Sequence, residues 1–184
     1  MRSWFLRVAL LVLLLMSASL VMAQDLPTSA AVVGSLAAAL GCSSDADPTC
    51  EAAALPFDEA SQVFVATFRV PAGDYTYQVA LNGATDNLVG ERGAAGGAPI
   101  TLSLAEDSDV RIVFDPDPMW LTDNVSGFIA NVPGSFQAAA GCSGDWQPTC
   151  LLTLLQDGDG DGTYTFTTSA LPAGSYEAKV AYNE

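Results

Sequence analysis

Short runs of alternating apolar and polar residues, each closed by Pro, Gly or Asp, fill most of this 184-residue chain. Residues 63–70 place Phe64, Ala66 and Phe68 on one face of an extended segment, and residues 75–81 alternate in the same way. Between them stands Pro71-Ala72-Gly73-Asp74, so β-rich runs bracketed by Pro and Gly predict a hairpin. A second hairpin is predicted from residues 100–104 and 109–114 around Ala105-Glu106-Asp107-Ser108. Asp115-Pro116-Asp117-Pro118 breaks it, and residues 119–125 form one more short strand. Upstream, residues 31–34 read as a brief apolar strand, and the Ala-rich residues 35–40 as one helical turn stopped by Gly41. Residues 82–99 make a polar loop rich in Gly and Ala, longer than a plain connection needs and so a candidate for function. Strands at short spacing with no long amphipathic helix predict an all-β, antiparallel β-sandwich.

The pattern is written twice. Residues 141–150 read GCSGDWQPTC and residues 41–50 read GCSSDADPTC. Val33-Gly34-Ser35 matches Pro133-Gly134-Ser135, and Val70-Pro71-Ala72-Gly73-Asp74-Tyr75 matches Leu171-Pro172-Ala173-Gly174-Ser175-Tyr176. Val79-Ala80-Leu81-Asn82 matches Val180-Ala181-Tyr182-Asn183, after a slip of one residue that a loop insertion explains. Such self-similarity denotes two copies of one structural unit. We divide the chain into a leader, residues 1–23, a first module, 24–126, and a second copy, 127–184. Strands of the second copy are expected at 128–132, 151–155, 164–168 and 176–182. The first module runs on for more than forty residues past the point that matches the last of these, so the second copy is expected to be truncated. A half-sandwich of this size exposes strand edges and part of its apolar face.

Each copy carries two of the four cysteines, with Pro and Asp between them. Local disulfides Cys42–Cys50 and Cys142–Cys150 follow from the repeat, because each copy must close its own loop. Zinc would call for C-x-x-C knuckles or histidines, and the chain has neither. In the chain-entropy view each loop of this length gains ~2–3 kcal/mol from its bridge. The leader has the form of an export signal: Arg2 and Arg7, the apolar residues 8–15, then Val21-Met22-Ala23 as a cleavage site. That apolar run is shorter than the ~20 residues of a membrane span, so a secreted product without membrane attachment is expected. Loss of Arg2 and Arg7 would leave 4 basic against 21 acidic side chains, a net of −17. Such a field repels phosphate backbones and argues against nucleic acid, while it tolerates a neutral ligand.

These residues resemble one family. The order is G-S-[LF]-x-x-A-x-G-C-x-x-D-x-x-P-T-C, then [LV]-P-A-G-x-Y and V-A-[LY]-N, then P-I-T-L at 99–102 and W-L-T-D-N-V at 120–125. It is similar to the tandem accessory modules that precede the catalytic domain of bacterial pullulanases. The resemblance implies an immunoglobulin-like β-sandwich that assists α-glucan recognition without catalysis, with the catalytic domain elsewhere in the same polypeptide. It covers nearly the whole mature chain. Where the family has a Gly-Ser-Trp-Asp-Glu-Asn-Tyr-Gly loop, this chain reads Gly83-Ala84-Thr85-Asp86-Asn87-Leu88-Val89-Gly90. Thr85 and Val89 therefore replace the two aromatics, which favours a structural spacer or protein-contact role for the first copy.

Sugar rings are gripped by an aromatic face plus a few placed polar groups. Trp146, beside Asp145 and Gln147 in the second cysteine loop, is either such a platform or packed on its own disulfide; its counterpart is Ala46. Trp120, inside an apolar strand, reads better as core than as ligand platform. Asn82, Asp86 and Asn87 on the long loop could bond sugar hydroxyls, though as turn formers they need no ligand. Asp157, Asp159 and Asp161 in DGDGDG invite a calcium reading, but the twelfth position of such a loop is Thr168 rather than Glu, and a solvated hairpin turn is preferred. With no histidine, no free thiol once the disulfides form, and no G-x-S-x-G elbow, neither a catalytic site nor a cofactor is expected.

Overall fold

The structure, a computed structural model, describes residues 26–183; the leader and its cleavage site lie outside the described residues. Among the described residues there are eleven strands: β1 (Ala30–Val33), β2 (Ala54–Leu55), β3 (Phe57–Asp58), β4 (Val63–Val70), β5 (Gly73–Leu81), β6 (Leu88–Val89), β7 (Ile100–Leu104), β8 (Ser108–Asp115), β9 (Trp120–Asp123), β10 (Ala130–Asn131) and β11 (Ala181–Tyr182). A single helical turn, α1 (Ser35–Ala39), follows β1 as the Ala-rich run predicts. β1 to β9 form two antiparallel sheets that face each other. One runs β2-β1-β5-β6 with β7 also paired to β5; the other runs β3-β4-β8-β9. Between them lies a core of Val32, Leu36, Phe64, Val79, Leu102, Ile112 and Phe114.

Both expected hairpins are corrected. β4 and β5 do not pair; they lie in opposite sheets, as do β7 and β8. β4 instead pairs with β8 along seven positions, from Phe64↔Phe114 to Val70↔Ser108. β5 pairs with β7 from Gly73↔Leu104 to Tyr77↔Ile100. Pro and Gly mark a change of direction, but they do not say whether the flanking strands pair or stack. Here each short connection is an arch that turns both apolar faces inward across the sandwich. The arches brace each other, since the Ala72 amide donates to Asp107 Oδ1 at 3.0 Å. A true hairpin forms between β8 and β9, around the Asp115–Pro118 breaker, in the register Phe114↔Leu121. The long loop is not plain either: β6 lies within it and pairs Val89 with Val79, and Glu91–Gly93 adds a 3-10 turn.

A buried polar pair ties the sheets together. The Tyr77 hydroxyl on β5 donates to Asp123 Oδ2 on β9 at 2.8 Å. Asp123 also accepts from the Val125 and Ser126 amides (2.7 and 2.6 Å) and the Ser126 hydroxyl (2.6 Å). Burial, with the Asp123 charge alongside, pushes the Tyr77 hydroxyl well above its ordinary range, so it stays a donor.

The second copy repeats the first in register but not in extent. Ala130↔Tyr182 and Asn131↔Ala181 reproduce Ala30↔Leu81 and Ala31↔Ala80. The Tyr176 hydroxyl donates to Pro172 O as Tyr75 does to Pro71 O, and Ser135 Oγ accepts the Glu177 amide as Ser35 Oγ accepts that of Thr76. Strands expected at 151–155 and 164–168 reduce to isolated bridges Asn131↔Leu154 and Gln156↔Thr165, because the described residues provide no neighbouring strands to extend them. Amides replace apolar side chains inside this copy. Gln137 stands where Ala37 is, bonding Gln147 and Thr153, and Asn131 stands where Ala31 is, donating to Pro148 O and Cys150 O.

Its apolar burial comes from the first copy. Ile129, Leu151 and Leu154 pack on Val63, Val113 and Trp120, which point away from the sandwich interior on the β4-β8-β9 sheet. Trp120 is 4% exposed and meets Tyr164 edge-on at 6.2 Å. The Leu151 amide donates to Ser61 Oγ (3.3 Å) and Gln156 Nε2 to Asp115 Oδ2 (2.8 Å) across the same junction.

Tyr77→Phe is expected to lower stability by about 1–3 kcal/mol in urea unfolding, since Asp123 loses a donor in a buried site. Trp120→Ala, expected to cost about 3–5 kcal/mol, should expose residues 156–180 to thermolysin while residues 30–115 stay resistant.

Candidate functional site

Both disulfides form as the repeat requires, Cys42–Cys50 and Cys142–Cys150, with Cα atoms 5.8 and 6.1 Å apart. Each loop is entered through a glycine with φ near 100°, Gly41 or Gly141, a backbone state that side chains resist. The clip fixes what the loop displays. In the second copy that is Trp146, 41% exposed and itself in a left-handed conformation (φ 60°). Its amide donates to Gly134 O (3.1 Å), which pins the residue from the backbone side. The Lys179 ammonium stands 5.8 Å from the centre of the indole, close enough for a cation–π attraction.

The neighbours divide their work. Asp145 is exposed and accepts the Ala138 amide (2.9 Å), bracing the preceding turn. Gln147 is half-buried; its amide donates to Gln137 Oε1, and its own Oε1 accepts from the Ser143 hydroxyl (2.8 Å). Together they hold a rigid ledge around an exposed aromatic side chain.

The other sequence candidates fall elsewhere. Trp120 is in the junction between copies, 4% exposed and packed with Val63, Val113, Ile129 and Leu151. Asn82, Asp86 and Asn87 lie exposed on the first copy, on the loop that passes the Cys42–Cys50 clip near Thr49. Asn82 ties that loop to the start of the module. Held in a left-handed conformation, it accepts the Thr28 amide (2.8 Å) and hydroxyl (3.1 Å) through Oδ1. Asn183 does the same for Ile129. Val89 is fully buried in β6, where it serves packing.

Asp157, Asp159 and Asp161 converge, each with one carboxylate oxygen within 4.8 Å of the others. They sit in the turn closed by the Gln156↔Thr165 bridge. Asp159 and Asp161 are exposed, but Asp157 is only 8% exposed, so the turn is not the fully solvated one expected.

One group was not legible as a site at all. Asp115 borders a groove of about 550 Å³ between the copies, lined by Leu26, Ser61, Pro118, Leu154 and Phe166. Burial, aided by the nearby Asp117 charge, raises its carboxyl to about 6, against the opposing pull of the Asp117 amide and Gln156 donors. Only the Asp-Pro-Asp-Pro string hinted at it, and that string reads equally well as a plain breaker.

The sequence model of the Pullulanase X25 domain family matches residues 29–120 and 129–184, one segment in each copy. The amylopullulanase of Thermoanaerobacterium thermosulfurigenes is 34% identical over 127 residues, 64% of this chain and 6% of that protein. That of Thermoanaerobacterium saccharolyticum is 32% identical over 127 residues, again 64% of this chain and 9% of the relative. The chain thus spans less than a tenth of the length of these relatives. Among solved structures, a pullulanase from Bacillus acidopullulyticus superimposes with a TM-score of 0.46 at 23% identity, over 52% of this chain and 11% of that one.

Because the folded carboxyl of Asp115 titrates above the ordinary value of 3.8, its contribution favours the folded state at low pH and is lost as pH rises through about 6. On going from pH 7 to pH 5, the wild-type melting temperature should rise relative to that of Asp115→Asn, as read by parallel thermal scans.

Proposed function

We propose, on the premise that this chain belongs to the Pullulanase X25 domain family, that it is an exported, non-catalytic module which holds neutral α-glucan beside a catalytic domain of the same polypeptide. Trp146 carries this reading. A tryptophan 41% exposed on a disulfide-clipped loop is an unusual use of a large apolar side chain. Its rigid ledge lets a glucose ring stack without ordering a mobile loop first, which removes one cost of binding. The Lys179 ammonium, which lies over the indole, is placed to donate to a sugar hydroxyl at the ring. The strongly acidic composition disfavours a polyanion and tolerates a neutral polymer. Export agrees with the leader and with two disulfides, which persist in oxidising compartments.

A second reading has its own support. Phe128 (53% exposed) and Tyr182 (60%) meet at 6.1 Å on the surface of the second copy. They suit a contact with further protein, as a spacer between domains would make. Among the described residues no helix is long and apolar enough to cross a membrane.

Electrophoresis through native gels with and without amylopectin separates the readings. The glucan reading expects retardation that Trp146→Ala weakens about tenfold or more, equivalent to ~1.4 kcal/mol. Mobility unchanged by amylopectin would leave the spacer reading.

A further inference from the structure

We propose that residues 157–162 form a Ca²⁺ site in which Asp157, Asp159 and Asp161 supply carboxylate ligands. Calcium takes oxygens at about 2.3–2.6 Å, so two ligands on one ion stand at most about 5 Å apart. The three aspartate oxygens, within 4.8 Å of one another, already meet that limit. Proximity of acids alone would prove little, because exposed carboxylates crowd in many turns.

The independent observation is Asp157. It is 8% exposed, and its Oδ1 is buried with no hydrogen-bond partner. Oδ2 accepts the Gly162 amide at 3.2 Å, so only one of the two oxygens is satisfied. A buried carboxylate oxygen without a donor is costly, and the costs fall away when a cation sits on it. The guanidinium of Arg92 lies against the turn, where a Cβ at Gly160 would meet Nη1 at 2.6 Å. It does not reach Oδ1, which stays unpartnered. Arg92 therefore adds positive charge to the neighbourhood without replacing the ion.

The spacing supports the same ion. Aspartates at the first, third and fifth positions with glycine at the sixth follow the order in which oxygen-rich loops wrap calcium. Gly162 has φ 84°, the sharp turn that the sixth position demands. At the twelfth position Thr168 offers no bidentate carboxylate, so the coordination sphere is completed by a backbone carbonyl and water. That ligand set points to a dissociation constant of about 10⁻⁴–10⁻³ M, in the range of extracellular modules. Magnesium, smaller and strict in its octahedral demand, suits such a flexible, carboxylate-rich turn less well. The first copy has Phe57-Asp58-Glu59-Ala60 at the matching place, so the site belongs to the second copy alone.

Its position gives it a mechanical role. Gln156, next to Asp157, bonds Asp115 of the first copy, and Tyr164, just past the turn, packs on Trp120. An ion here would tie the turn to the junction between the copies.

The full chain is titrated with TbCl₃ while Tyr and Trp are excited, then with CaCl₂ as competitor, and its thermal unfolding is followed in CaCl₂, MgCl₂ or EDTA. Expected are sensitised terbium emission displaced by Ca²⁺ at about 10⁻⁴–10⁻³ M, and a melting temperature raised by CaCl₂ more than by MgCl₂ at equal ionic strength. Asp159→Asn/Asp161→Asn, which changes exposed side chains, should weaken Ca²⁺ by at least about tenfold, as removal of charged ligands does. The proposal is overturned if that double variant binds as the wild type does. It is equally overturned if MgCl₂ matches CaCl₂, or if roughly 10 mM CaCl₂, well above the range of extracellular modules, moves neither signal.

Discussion

The burial of Trp120 between the two copies is the contact on which the rest of the arrangement depends. Its sheet is covered on both sides. Phe64, Ile112, Phe114 and Leu121 face the sandwich interior, while Val63, Val113 and Trp120 face Ile129, Leu151 and Leu154 of the second copy. A sheet with one wet face alternates apolar and polar; one buried on both faces runs apolar without a break. Val63-Phe64-Val65, Ile112-Val113-Phe114 and Trp120-Leu121 are such runs, and they sit where the second copy lands. The first copy thus provides an apolar partner for the second copy's short strands.

The second copy compensates within its own interior by a different means. Exchanging Ala31 and Ala37 for Asn131 and Gln137 trades apolar packing for hydrogen bonds that staple the cysteine loop to its neighbours. Fully bonded amides cost little when buried and fix geometry more sharply than methyl groups do. This explains how a unit with two-residue strands still holds Trp146 in a defined place. A scaffold of this sort is suited to display rather than to chemistry, and function on a common β-sandwich has to be argued from the site.

Much of this was legible in the sequence. The repeat gave the disulfide pairing, since each copy had to close its own loop, and apolar runs, alternation and breakers together located β1, β4, β5, β7, β8 and β9 to within a residue or two. Strand pairing was not legible. Pro71-Ala72 and Ala105-Glu106-Asp107 carry turn chemistry that serves a hairpin or an arch alike, and only the long-range β4–β8 ladder decides between them. The Tyr77–Asp123 bond and the raised Asp115 carboxyl escaped for the same reason. The first joins residues 46 positions apart, and the second comes chiefly from burial that only the folded chain provides, so no local pattern encodes either. Trp120 was readable as core, whereas its place at the junction needed the second copy in view.

Amide hydrogen exchange on the oxidised full chain tests most directly whether the second copy is folded through its contact with the first. Exchange should be slowest in β4 and β8, with Val132, Leu154 and Leu155, bonded to Thr153, Leu151 and Ala130, protected to a lower level and opening together. Residues 166–176 should exchange close to the unprotected rate. Protection across residues 164–183 as high as that of β4 and β8 would contradict dependence on the first copy, because the second copy would then be a self-sufficient sandwich.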